Sequence, residues 1–175
     1  DRLEPLIKSR IRAEIDRRII NSYLERTNTF HWDIGATNNW AAVCSGGVGA
    51  VFIHMRPEIF EKVYPRLDAN IKRFLSGFPE DGTCLEGVSY WNYGFGFFVF
   101  YNDLLRQFSN GKYDYFKDPH VKNIALFNQK VFMQDNVTIS FSDGNEHSTY
   151  NIGLLSFLKS IYPEIKLPPK EYARV

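Results

Sequence analysis

Net charge is almost missing from this chain. Lys and Arg number 21 against 20 for Asp and Glu, which leaves +1 over 175 residues. A nucleic-acid-binding domain advertises itself by a basic face, and none is present. The basic residues near the start, Lys8, Arg10, Arg12, Arg17 and Arg18, are interleaved with acids, as on a solvated helix face. Cysteine is equally scarce. Cys44 and Cys84 either pair or stay as small buried hydrophobes, and two cysteines define neither a disulfide scaffold nor a redox compartment. No cluster of metal-ligand type surrounds them, so neither metal nor cofactor is expected. Long apolar runs are lacking too: Trp40 to Ile53 contains three glycines and is too short to span a bilayer, so no membrane partner is expected. No leader of basic, apolar and small residues opens the sequence, which starts without Met inside a helical pattern and reads as an excised piece of a larger protein.

What is present is helical rhythm. A chain of this length forms one domain, 1–175, and can bury about two-thirds of its unfolded surface. Ile7, Ile11, Ile15 and Ile19 recur every four residues between Leu3 and Arg26, with Leu24 close to the same face, which predicts an amphipathic helix. Residues 27–37 break the pattern with Asn28, Gly35, Phe30 and Trp32, and read as a loop. Asn38 or Asn39 can cap a second helix over Trp40 to Met55. Within it, Gly46, Gly47 and Gly49 should cost about 1 kcal/mol each relative to Ala, which implies either tight helix packing or room for a ligand. Pro57 suits the first turn of a third helix that ends near Gly77, with a kink expected at Pro65.

Aromatic residues are concentrated in one place. In the stretch Asp81 to Tyr101, eight of the twelve residues from Tyr90 to Tyr101 are aromatic. Aromatic faces around a few polar tips can hold sugar rings, whose CH faces pack on π faces while their hydroxyls seek hydrogen bonds; an aromatic-rich buried helix is the plainer reading. The odd positions from Tyr93 to Tyr101 are all apolar, so a strand is conceivable, but the continuation to Phe108 favours a helix. Beyond it a turn-rich connection over Ser109 to Pro119, a helix over His120 to Met133, a strand or extended crossing over Asn136 to Phe141 and a last helix over Thr149 to Tyr162 are expected. Long helices alternating with loops that gather the polar and aromatic residues predict an all-α fold, an incomplete α/α toroid of antiparallel helical hairpins.

Two stretches in this order, TNNWAAVCSGGVG at Thr37 to Gly49 and DGTCLEGVSYWNYG at Asp81 to Gly94, resemble the helical domain of the heparinase II/III-like polysaccharide lyases and their alginate-lyase relatives. The segment SFSDG at Ser140 to Gly144 is similar to the stretch beyond the next helices in that family, and the resemblance extends from Asn28 to Tyr162. It implies β-elimination across the glycosidic bond of a uronate-containing acidic polysaccharide. It implies that an Asn, best matched by Asn39 and less well by Asn38, binds and neutralises the uronate carboxylate, and that Tyr90 is the proton donor or base. The family often has a His directly after that Asn, where this chain has Trp40. It completes its site with a His, and often a further Tyr or Arg, from later helices and a following β-sandwich domain. The resemblance therefore implies such a domain as a C-terminal partner, and a parent protein in the periplasm of a bacterium or secreted from it.

The residues suit that chemistry. β-Elimination removes the proton at C5, beside the carboxylate, and expels the oxygen at C4; an Asn amide donating hydrogen bonds stabilises the charge that develops on the carboxylate. A Tyr with its ordinary pKa near 10 is a good acid for the departing oxygen and a poor base unless a neighbouring positive charge shifts it. His31 and His147 lie in expected loops, whereas His54 and His120 fall at helix ends. Tyr93 lies one helical turn beyond Tyr90 and is not separable from it by spacing. Trp40 and Trp91 are candidate sugar platforms or core residues, and Glu86 is a candidate to hold a sugar hydroxyl, orient Tyr90 or cap the helix. His31 and Trp32 stand close enough in sequence to Asn39 to reach the same rim. Two other functions compete: a glycoside hydrolase using Glu86 with Asp81 or Asp143, and a non-catalytic glycan-binding or structural fragment.

Overall fold

The computed structural model describes residues 3–27 and 29–172, apart from the side chain of Lys170. Asn28, one of the loop signals, lies outside the described residues. The fold is mostly helical, with one small two-stranded sheet among the described residues.

The first helix, α1, covers residues 5–25 as Pro5–Ile15, a π-helical stretch Asp16–Ile20 and Asn21–Glu25. Pro5 stands in its first turn, where a missing N–H costs nothing. A short helix α2, His31–Ile34, follows within the expected loop. Next comes α3, Asn39–Met55, whose cap is Asn38: its side-chain oxygen accepts from Trp40 N at 3.2 Å. The fourth helix, α4, joins a 3₁₀ turn, Pro57–Ile59, to Phe60–Ser76, and stays helical through Pro65.

Helix α3 is the hub, packed against both α4 and α5, the latter covering residues 88–108. Its glycines show how. A Cβ on Gly49 would stand 2.3 Å from Tyr101 Cε2, and one on Gly46 would stand 3.1 Å from Tyr101 Cβ, so these two positions let the Tyr101 ring of α5 seat against the helix. Gly47 faces open space instead. Tight packing is therefore the answer at Gly46 and Gly49. On α4 the apolar stripe Phe60, Val63, Leu67, Ile71 and Phe74 is buried along its length, each side chain contributing about 1.5–3 kcal/mol relative to exposure.

Helix α5 comprises Val88–Tyr90, a π-helical stretch Trp91–Phe95 and Gly96–Phe108, which excludes the strand alternative. The alternation of apolar residues there is a by-product of aromatic crowding. Burial follows a helical period instead, with Trp91, Phe95, Phe98 and Leu105 inside and Tyr93, Phe97 and Phe100 outside.

The expected helix over His120 to Met133 is broken. Asp118 caps α6, Pro119–Ala125, by accepting from His120 N at 2.9 Å; α7 is only Asn128–Val131. The chain then turns extended at Phe132, and Met133 lies in strand β1, Phe132–Gln134. Its antiparallel partner β2 is Val137–Thr138, shorter than the expected crossing, and the register is interrupted between Phe132 and Gln134. The last helix, α8, is Ile152–Ile161; it starts later than Thr149 because Asn151 caps it, accepting from Leu154 N at 3.1 Å.

Helix α1 departs from the amphipathic expectation in one respect. No residue of Pro5–Ile15 is buried, and its isoleucine stripe lines an open groove of about 490 Å³ instead of a packed interface.

Candidate functional site

The polar turn before α5 brings the site together. Asp81 Oδ1 accepts from Thr83 N at 2.8 Å, a local turn that uses up one carboxylate oxygen. Gly87, at φ +94°, is the N-cap residue of Val88–Tyr90, and its open face lies against Gly144 of the SFSDG segment: a Cβ there would stand 3.0 Å from Gly144 Cα. That segment is thereby folded onto the start of α5. Glu86, immediately before Gly87, reaches the first turn of α3.

There Asn39 Nδ2 donates to Glu86 Oε2 at 3.1 Å. The amide is held from its other end by the absence of a side chain. A Cβ on Gly94 would fall 1.9 Å from Asn39 Oδ1, so only glycine lets the π-helical stretch of α5 approach this closely. Asn39 is buried, and Asn38 next to it is half-buried and committed through its oxygen to the helix cap. The Asn38 amide nitrogen remains available to a ligand.

These residues open on one cleft of about 320 Å³, lined by Asn38, Asn39, Trp40, Glu86, Tyr90 and Tyr93. Aromatic surface is left bare beside it: Trp40 is 64% exposed, Tyr93 51% and Tyr90 36%. A smaller hollow of about 210 Å³ shares Asn38, Asn39 and Glu86 and has Phe74, Phe78 and Cys84 among its lining residues. Of the residues lining the cleft, one is an acid and none is a base. Its charge is therefore negative, a feature that the expected binding of a uronate carboxylate does not anticipate.

Other candidates fall elsewhere. Trp91 is not a platform. It is fully buried, its indole N–H donates to Ile124 O at 2.8 Å, and its ring stacks on Phe95 at 5.4 Å between centroids. Trp32 stacks on both Tyr23 and Phe30 and lines a separate groove with Val43, Cys44 and Gly47. His31 is exposed on α2, and neither it nor Trp32 lines the Asn39 cleft. His120 bonds Leu75 O at 3.1 Å, while His54 and His147 lie off the cleft. Glu86 does not cap α5 through its side chain. Asp81 and Asp143, the acids that hydrolysis would pair with Glu86, are both exposed and do not line the cleft that Glu86 lines. The two thiols are free, and burial pushes Cys84 up to about 11.

One polar network was not anticipated. Asp33 of α2 is buried and accepts from Arg66 Nε at 3.0 Å and Asn70 Nδ2 at 2.9 Å, both on α4, while Arg73 donates to its backbone oxygen at 2.6 Å. Arg66 also donates to Tyr23 O at 2.7 Å and covers the Tyr23 ring at 3.9 Å. This ties α1, α2 and α4 together a few residues ahead of Asn38 and so fixes how the chain enters α3. The spacing of Arg66, Asn70 and Arg73 along one helix face was the available signal.

Among the described residues no group of three or more His, Cys, Asp and Glu could hold a metal ion, and no helix is long and apolar enough to cross a membrane. Neither a protein-family model nor a curated protein matches the sequence.

Proposed function

We propose that this chain is the core of the helical toroid of a polysaccharide lyase that cleaves a uronate-containing acidic polysaccharide by β-elimination. The observation that carries the reading is the meeting of Asn39 and Tyr90, borne on different helices, in one cleft with bare Trp40 and Tyr93 rings. Those rings offer faces for sugar CH groups, and the two asparagine amides offer N–H donors for a carboxylate. In the reaction a base takes the C5 proton, the electron pair forms the C4–C5 double bond, and the C4–O bond breaks. The Tyr90 hydroxyl gives its proton to the departing oxygen. None of the six lining residues is a basic side chain. The resemblance implies that such a site is completed by a His, and often a further Tyr or Arg, from later helices and a following β-sandwich domain, and this reading takes from that side both the base and a cation to offset Glu86.

The test is ultraviolet detection of unsaturated product from the full-length parent on heparin, heparan, hyaluronan and alginate, comparing wild type with Tyr90→Phe. Turnover on one of them that the substitution abolishes supports the assignment. Absence of product on all four sinks the catalytic reading. The charge of Glu86, which no lining cation offsets, favours a second reading, a cleft that binds glycan without cleaving it. Glycan binding without product in the same experiment would select it.

A further inference from the structure

Carboxylates shielded from water in this chain are paired with cations. Among the described residues, Glu14, Asp16, Asp33, Asp68, Asp103 and Asp114 are buried or half-buried, and each forms an ion pair with an Arg or Lys. Half-buried Glu86 is the exception: it accepts from Asn39 Nδ2 at 3.1 Å and has no Arg or Lys partner among the described residues. A charge taken partly out of water is costly unless an opposite charge meets it. The other groups in its cleft suit a cation: the rings of Trp40, Tyr90 and Tyr93, all exposed, and no basic side chain to compete. The π face of an indole or phenol is negative and attracts an ammonium group, more strongly where water is partly excluded. From this we infer that the cleft holds an ammonium group between the Glu86 carboxylate and these rings, and that the group is the protonated amine of an N-unsubstituted amino sugar. The inference rests on the glycan-binding reading above and names the kind of sugar bound.

A sugar hydroxyl can also donate to Glu86, but it leaves the charge unmet; an ammonium donates a stronger, charge-assisted hydrogen bond and is drawn to the rings as well. In a polymer where amino sugar alternates with uronate, that ammonium offsets Glu86 from within the cleft, whichever groups complete the rest of a site. The uronate carboxylate can then take the Asn38 amide nitrogen, which the helix cap leaves free, against less repulsion. Charge and position at Glu86 are separable: a glutamine in its place keeps an oxygen for the bond from Asn39 while removing the charge.

The experiment measures binding to the full chain of heparosan oligosaccharides, N-acetylated and after N-deacetylation, at about pH 6, where the freed amine is protonated, and at low and high salt. Wild type is compared with Glu86→Gln and with Glu58→Gln, which removes an exposed carboxylate off the cleft. Wild type should prefer the N-deacetylated ligand by about tenfold or more, which corresponds to about 1.4 kcal/mol. The preference should shrink as salt screens the attraction. In Glu86→Gln it should largely disappear through weaker binding of the N-deacetylated ligand, with the N-acetylated affinity little changed, while Glu58→Gln keeps it. A wild-type preference for N-acetylated ligand, an unchanged ratio in Glu86→Gln, or an equal loss in Glu58→Gln overturns the inference while leaving glycan binding intact. Tighter binding of a blocked tripeptide with one central lysine than of the N-deacetylated ligand also overturns it, in favour of a protein partner. If no heparosan, hyaluronan or alginate oligosaccharide binds, the glycan reading fails and takes the inference with it. Should Glu86→Gln not fold, the wild-type preference and its salt dependence still decide.

Discussion

Replacing Gly94 by alanine separates stability from site geometry. In a helix interior alanine is better than glycine by about 1 kcal/mol, so with no neighbour in the way the variant would be more stable. Here the new methyl group would stand 1.9 Å from Asn39 Oδ1. The amide must rotate away and give up its bond to Glu86, and a hydrogen bond to a charged group contributes about 1.5–3 kcal/mol. The expected net loss is about 0.5–2 kcal/mol, read from urea unfolding with an unchanged slope. Two other glycines, both on α3, calibrate the result. Gly47→Ala has nothing within 4 Å of the new Cβ and should gain stability, whereas Gly49→Ala would place its Cβ 2.3 Å from Tyr101 Cε2 and should lose about 1–3 kcal/mol to overpacking. Function should not follow stability. Gly94→Ala should weaken uronate binding, and any turnover of the parent, about a hundredfold or more through loss of the Asn39 donor, while folded Gly49→Ala keeps both. A Gly94→Ala protein that binds uronate oligosaccharide like wild type would refute the assignment of Asn39.

Trp91→Ala should cost about 3–5 kcal/mol because the indole is fully buried, whereas Trp40→Ala should change stability by less than about 0.5 kcal/mol and abolish the tryptophan fluorescence response to glycan. Urea titration of both variants checks this, and equal costs would count against the orientation of α5 relative to α3. Asp33→Ala leaves Arg66 without its buried carboxylate partner and should destabilise the fold by about 3–5 kcal/mol; a cost below about 1 kcal/mol would remove the network from the account of how α3 is seated. Burial raises both thiols, Cys84 to about 11, so at pH 8 the native protein should react with a disulfide reagent far more slowly than the urea-unfolded chain. Equal rates would mean that Cys84 is not enclosed.

The helical course of α3 and α4 was legible because they carry strong local signals: a capping Asn38, a proline at position 57 and an apolar stripe on α4 with helical period. The breaks were less so. His120 to Met133 contains no glycine or proline after Pro119, and the change from α7 to β1 is set by the pairing of Phe132 with Thr138, a tertiary event. The orientation of the aromatic helix was not legible either. When eight of twelve residues are aromatic, pattern alone cannot say which side faces in, and the π-helical stretch at Trp91–Phe95 shifts the register within that segment. Trp91 and Trp40 therefore looked alike as platforms, and only packing separates them. In the site, Asn39, Tyr90, Tyr93, Trp40 and Glu86 were all nameable from two motifs. The bond from Asn39 to Glu86 was not, since it joins residues 47 apart in sequence and has no local signature.

A polar side chain buried at the start of a central helix has an ordinary explanation: Asn39 bridges α3 to the turn before α5 and does nothing else. That explanation accounts for Glu86 and Gly94, but not for the residues around them. A purely structural bridge would be sealed by the aromatic residues so plentiful in α5, of which Trp91 and Phe95 are wholly enclosed. Instead Trp40 and Tyr93 are left more than half exposed in the cleft that the Asn39 amide lines, and Tyr90 joins them there. Apolar rings in water are unfavourable by about 25 cal/mol per Å² of surface left uncovered, a penalty that a ligand with flat CH faces would relieve. The bare rings, more than the buried amide, are the ground on which we propose the cleft as a site.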